Sequence, residues 1–292
     1  MKNSFHENGF TIRERIRRHE KGFTRKERQI AIILTAGDPT AGLKTIAELG
    51  KHAAASGATV LRFINKLGYS GYPEFQEALR NELTEFLESP LSRYHATDFK
   101  GKNGDPLGNY VHYAIRTLNK MVNTTSNVEF DKVARLLADK RHCVYVIGGR
   151  FSRSLAELLC YGLTGLRGRV HLVANDSRSM VSQLLALQKH DIVIVFDFRR
   201  YQDDINQFAK LACRAGATLV VFTDQWQAPC CKYAQSVLAL PVAGPSVFDS
   251  AIAPMVCVEA LIAYLAELLE NRAKECIEQA EWLYRQLADT SV

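Results

Sequence analysis

SGATVLRFINKLGYSGY, residues 56–72, decides how the first third of the chain folds. Val60, Phe63, Ile64 and Leu67 recur at helical spacing and define one apolar face. Arg62 and Lys66 stand four apart, so both project from the other face. Ser56 sits where an N-cap hydroxyl accepts from free amides, and Gly68 where a helix C-terminus favours glycine. The aromatic exit, Tyr69 to Tyr72, is expected to pack under the next helix and set its angle.

Short helical segments flank this stretch. TIRERIRRHEKG (11–22) repeats apolar residues at helical spacing. TRKERQIAIILTAG (24–37) starts with Thr24 as N-cap and Glu27 at the capping-box position. GDPT (37–40) interrupts the pattern, and KTIAELGKHAAA (44–55) runs almost directly into the quoted helix. YPEFQEALRNELTEFLES (72–89) follows, with Pro73 at a helix start. Residues 1–88 therefore read as a compact all-α domain.

Charge is concentrated in the same region. Residues 1–73 hold 13 Lys/Arg against 6 Asp/Glu, while the whole chain of 292 residues carries only +6. That imbalance points to a polyanionic partner for the first domain. Two short helices joined by a tight turn, the second basic, form a helix-turn-helix pattern whose second helix fits the DNA major groove. Gly57 is small enough for close backbone approach, and Ser56 and Thr59 can reach phosphates or bases. Arg62 can pair bidentately with guanine, Lys66 offers phosphate charge, and Thr45 and Lys51 of the preceding helix complete the expected contact set. The plain alternative is an amphipathic helix with a solvated edge.

Beyond residue 88 the character changes. Residues 89–108, SPLSRYHATDFKGKNGDPLG, are rich in Pro, Gly and polar residues and read as a linker. Helical patterns cover 109–125 and 129–139. From Cys143 the β-rich runs CVYVIGG, RVHLVAN, DIVIVFDF, TLVVFTD and SVLALP alternate with helical stretches at 152–166, 177–187 and 202–215. Near-continuous apolar strands alternating with helices indicate a parallel sheet covered on both faces. Helices at about 249–272 and 274–288 close a second domain, 109–292.

No stretch approaches the roughly 20 apolar residues of a membrane span, and the N-terminus lacks a signal-peptide core, so a cytoplasmic protein without a membrane partner is expected. Seven cysteines with no CxxC pair and no ligand spacing leave neither a disulfide framework nor a metal site to expect. G-x-G-x-x-G is absent, so no dinucleotide cofactor is expected.

Residues 45–83 carry Ile46-Ala47-Glu48-Leu49, then Ser56 to Phe63, then Lys66 to Phe75. In order and spacing they resemble the N-terminal domain of the RpiR/MurR family of bacterial transcriptional regulators. The resemblance implies double-stranded operator DNA, read at an inverted repeat by a homodimer or homotetramer. One departure stands out: the family usually has glycine in the turn before the second helix, and this chain has Ala53-Ala54-Ala55. If that turn needs positive φ, alanine there costs about 1 kcal/mol.

Residues 141–265 resemble the sugar isomerase (SIS) domain of the same family, which implies an SIS-like, flavodoxin-type α/β sandwich. Gly148 and Gly149 permit a tight turn into a helix whose free N–H groups attract an anion, and Ser152 adds a hydroxyl to that cradle. Phosphosugar-binding members carry a Ser/Thr-rich loop after the third strand. Here the loop reads FDFRRYQDD (196–204), with Arg199, Arg200 and Tyr201 in place of hydroxyls. The two guanidiniums are expected either to hold a phosphate or carboxylate, or to pair with Asp203, Asp204 or a partner subunit. Ser246 and Ser250, ahead of the long apolar helix, match the segment closing the family's pocket. No residue is assigned a catalytic role: all eight histidines lie at or before residue 190, and Glu259 suits a buried or interfacial structural position. The whole reading is a DNA-binding regulator controlled by a small anionic metabolite, phosphosugar or carboxylate. The alternative is a sugar-phosphate isomerase-type enzyme with a fused helical domain.

Overall fold

The computed structural model describes residues 10–35, 39–87 and 105–289, which fall into two compact units, Met1–Thr97 and Asp98–Val292. The first contains α1 (Ile12–His19), α2 (Arg25–Thr35), α3 (Ile46–His52), α4 (Gly57–Lys66) and α5 (Tyr72–Leu87). Its core is the apolar face read above, with Val60, Phe63, Ile64 and Leu67 fully buried against Ile30, Leu49 and Phe75. Caps set the helix limits. Thr24 and Glu27 exchange the two hydrogen bonds of a capping box, at 3.3 and 2.7 Å. Ser56 Oγ accepts from Thr59 N at 3.2 Å, and Gly68, at φ +91°, donates to Asn65 O to close α4. The aromatic exit packs as its sequence predicts: Tyr69 and Tyr72 are buried and both contact the Phe75 ring, and the Tyr72 hydroxyl donates to Lys44 O at 2.9 Å.

The second unit holds α6 (Pro106–Thr124), α7 (Asn127–Ala138), β1 (Val144–Gly148), α8 (Arg153–Leu166), β2 (Val170–Leu172) and α9 (Ser177–Ala186). It continues with β3 (Ile192–Phe196), α10 (Asp203–Arg214), β4 (Thr218–Thr223), β5 (Ser236–Ala239), α11 (Ile252–Leu269) and α12 (Asn271–Asp289). The five strands are all parallel, in the order β2-β1-β3-β4-β5. Strand residues alternate between two cores. Val144, Val146, Ile192, Ile194 and Phe196 pack with α7, α8 and α11. Tyr145, Ile147, Val193 and Val195 pack with α10. Because α8 follows β1 to one face and α10 follows β3 to the other, a crevice opens between β1 and β3 at the C-terminal sheet edge. Ligands settle at such a switch point in open α/β sheets.

Three sequence expectations shift. Most of the segment read as a linker lies outside the described residues, but Pro106 to Gly108 form the first turn of α6, capped by Asp105 Oδ1 accepting from Gly108 N at 2.8 Å. The last helical region breaks earlier than expected, at Glu270, whose φ is +46°. Finally, α11, with 18 residues, is by length and composition apolar enough to cross a membrane, contrary to the reading of its sequence. It is a core helix here: Ala253, Val258, Leu261 and Leu265 are fully buried in the sheet's larger core, while Glu259 is exposed rather than buried.

Candidate functional site

Two places gather the predicted residues. On the helical unit, α3 and α4 meet across the turn 53–56, and Lys51, Arg62 and Lys66 are exposed. Arg62 makes no hydrogen bond or ion pair among the described residues, so its guanidinium is available to a partner. Lys66 is not. Its Nζ pairs with Glu27 Oε2 at 2.8 Å and donates to Gly22 O at 3.2 Å, tying α4 to α2. Burial raises the Glu27 carboxyl, but the bonds from Lys66 and Thr24 outweigh it and hold the group below its ordinary range. Thr45 is likewise occupied, as the N-cap of α3 in a capping box with Glu48. Ser56 and Thr59 share a 2.9 Å hydroxyl contact at the exposed start of α4, next to Gly57.

The turn before α4 does need positive φ: Ala54 has φ +47°. Its carbonyl accepts from Lys26 Nζ at 2.5 Å, so the strained residue is anchored to α2. Ala54→Gly is expected to stabilise the helical unit by about 1 kcal/mol, because glycine relieves the Cβ clash of the left-handed region. An unchanged or lower urea midpoint would show that the turn is unstrained.

In the α/β unit a cavity of about 270 Å³ fills the β1/β3 crevice. The β1–α8 turn contributes Gly149, Arg150, Phe151 and Ser152, and the β3–α10 loop contributes Asp197, Phe198, Arg199, Arg200 and Gln202. The segment before α11 closes it with Val242, Phe248, Asp249 and Ser250. Gly148 lies just behind. A Cβ there would stand 2.5 Å from the Ser152 carbonyl oxygen, so only glycine allows this turn. Phe151 and Phe248, both largely exposed, face each other at 6.1 Å on the rim, and the Arg200 guanidinium lies 5.3 Å from the Phe151 ring centre. Arg200 itself is held at φ +65°, a strained conformation of the kind that clusters at binding sites.

Several expected ligand groups are turned to other work. Ser152 Oγ donates to Phe196 O at 2.7 Å instead of facing an anion. The Arg150 amide, in the same turn, donates to Gln202 Oε1 at 2.5 Å. Arg199 is buried and clasps Asp249, with Nε 2.8 Å from both carboxylate oxygens. Its partner is thus neither Asp203 nor Asp204, which lie in the first turn of α10. Ser246 does not line the cavity; its Oγ accepts from Phe248 N at 3.2 Å. Ser250 does line it, accepting from Ile252 N at 3.3 Å at the start of α11.

Beneath Arg199 lies an acidic network. Asp224 is fully buried and accepts from Tyr201 Oη at 2.7 Å, from Trp226 N at 2.9 Å and from the Arg199 amide. Burial pushes Asp224 up to about 6, less than it otherwise would because these donors favour the anion. Asp197 is 2% exposed and has a buried Oδ2 with no hydrogen-bond partner among the described residues. Burial, with Asp224 and Asp204 nearby, pushes it up to about 8. Asp197, Gln202 and Asp249 escaped the sequence reading. The one legible signal was an acid embedded in the apolar strand end Phe196-Asp197-Phe198.

Comparison with known proteins agrees with both halves. The rpiR-family helix-turn-helix domain matches residues 10–85 and the SIS domain matches residues 136–264. An uncharacterized HTH-type transcriptional regulator of Haemophilus influenzae is 22% identical over 219 residues, 75% of each chain. The HTH-type transcriptional regulator RpiR of Escherichia coli is 21% identical over 238 residues, 80% of this chain and 77% of that one. Among solved structures, the sugar isomerase domain of an RpiR transcription factor from Sphaerobacter thermophilus superposes with a TM-score of 0.56 at 22% identity, covering 60% of this chain and 97% of that one. The Vibrio vulnificus NanR protein, complexed with ManNAc-6P, gives a TM-score of 0.56 at 18% identity over 94% of this chain and 98% of its own. A helical DNA-binding unit joined to a parallel-sheet SIS domain defines a class of bacterial regulator. The chain is a transcriptional regulator that joins an rpiR-family helix-turn-helix domain to an SIS domain.

Proposed function

We propose that α4 reads operator DNA through Arg62 and that the β1/β3 cavity takes the small anionic metabolite controlling that binding. The observation that carries the DNA half is the split between two basic residues on one helix. Lys66 is bound to Glu27, whereas Arg62 is exposed and unpaired among the described residues. Lys51, Ser56, Gly57 and Thr59 flank Arg62 and supply backbone contacts to the duplex. On the cavity side, the exposed Arg150 and Arg200 carry the positive charge at the mouth, since Arg199 is neutralised by Asp249. NanR, which shares the fold, is complexed with ManNAc-6P, in keeping with a small anionic metabolite as the controlling ligand here. Two copies of the chain present two recognition helices, and a ligand that changes their spacing shifts operator affinity by the 1–3 kcal/mol typical of allosteric coupling.

An isomerase reading is less well supported. Among the described residues no histidine lines the cavity, and His142 and His190 stand together 6.0 Å apart before β1 and β3, at the opposite sheet edge. The test of the proposal is binding to the DNA upstream of the protein's own gene. Arg62→Ala is expected to weaken binding about ten- to a hundredfold, the value of one bidentate base contact, with the melting temperature unchanged. Wild-type affinity in that variant would remove Arg62 from the interface.

A further inference from the structure

Around the cavity, acids outnumber buried cations. Asp197 and Asp249 line it and Asp224 lies beneath Arg199, two of the three almost completely buried, against one buried guanidinium, Arg199. Arg199 is spent: its side chain clasps Asp249, and its amide holds Asp224. The charges that bear most on Asp197 are those of Asp224 and Asp204, both acidic, and the one bond that favours its anion comes from the Gln202 amide. The residue lines the cavity, and its carboxyl keeps a buried Oδ2 with no hydrogen-bond partner among the described residues. A group left so is costly unless something donates to it. The mouth has the opposite sign, with Arg150 and Arg200 exposed and unpaired among the described residues beside the Phe151 and Phe248 rings.

We propose that the cavity is built for a zwitterion, a small metabolite whose ammonium group donates to the Asp197 carboxyl inside while its phosphate or carboxylate meets Arg150 and Arg200 at the mouth. This rests on the reading of the cavity as the effector site. An ammonium supplies a positive charge and the missing donor together. A hydroxyl supplies only the donor, so Asp197 selects amines over alcohols. The selectivity lies in one buried acid on the β3–α10 loop, where phosphosugar sites of this fold rely on hydroxyls.

Matched probes separate the two layers of the idea. Binding of glucosamine 6-phosphate and glucose 6-phosphate, and of 4-aminobutyrate and 4-hydroxybutyrate, is measured by thermal shift and calorimetry on the full chain. In at least one pair the amine is expected to bind on the order of ten- to a hundredfold more tightly, the difference a charged hydrogen bond makes. Asp197→Asn, which keeps the shape and removes the ability to ionise against an ammonium, is expected to bring the two members of that pair within about threefold of each other. Equal affinity for amine and alcohol in the wild type overturns the zwitterion and leaves the effector site standing. So does an amine preference that persists in Asp197→Asn. Binding of none of the four overturns the effector reading and the zwitterion with it.

Discussion

Arg199→Ala is expected to lower the stability of the α/β unit by about 3–5 kcal/mol, the cost of stranding one member of a buried ion pair. The side chain is 2% exposed and makes both of its Nε contacts, at 2.8 Å, to Asp249, so its removal leaves that carboxylate without its buried cation. The Trp226 ring, 5.3 Å from the guanidinium, loses a cation–π partner as well. The effect comes mainly from the abandoned carboxylate, and a second variant isolates it. Arg199→Met combined with Asp249→Leu is expected to recover most of the loss, because two apolar side chains need no mutual neutralisation. Urea unfolding of the two singles and the double forms a double-mutant cycle. Additive losses would mean that the pair is not coupled, and Arg199 would return to the set of ligand-facing residues.

Asp197→Asn has a different signature, visible only as pH changes. The carboxyl is held at about 8 by burial and by the neighbouring Asp224 and Asp204, against about 3.9 for an unfolded aspartate. Below pH 4 both states carry the proton, and the group adds no pH dependence. Between about pH 4 and 8 the unfolded chain ionises while the folded chain stays protonated, so stability falls as pH rises. Above pH 8 both are ionised and the penalty is constant. Asp224, pushed up to about 6, adds a slope of the same sign over the lower part of that window. The Asn variant is therefore expected to match wild type near pH 4.5 and to exceed it by a few kcal/mol at pH 8. Denaturation at those two pH values decides it: parallel wild-type and variant curves would mean that Asp197 ionises freely in the fold.

Both predictions concern residues that the sequence read differently or passed over, and the reason is physical. The helical unit was legible because its information is local. Apolar spacing in α4, the hydroxyls of Thr24 and Ser56 at the caps and glycine at 68 act within a few residues of one another, so the string of letters contains the contacts. The same is true of the sheet, where uninterrupted apolar runs such as Ile192 to Phe196 require cover on both faces. Even the strained turn was visible as alanines where glycine belongs, and the structure places positive φ at Ala54.

The ligand cavity was legible only as a location. Sequence spacing puts Gly148, Gly149 and the Arg199-Arg200 pair at the C-terminal ends of β1 and β3, and adjacent parallel strands bring those ends together. Which side chains then face the cavity depends on partners far away in the chain. Arg199 turns to Asp249, 50 residues on; Ser152 turns to Phe196, 44 residues on; the Arg150 amide is met by Gln202, 52 residues on. Lys66 is diverted in the same way by Glu27, 39 residues earlier. Charge and hydrogen-bonding capacity are properties of a residue and can be read from its letter. Whether that capacity is already consumed is a property of the packed fold, because a buried polar group takes whichever partner the tertiary structure brings within 3 Å.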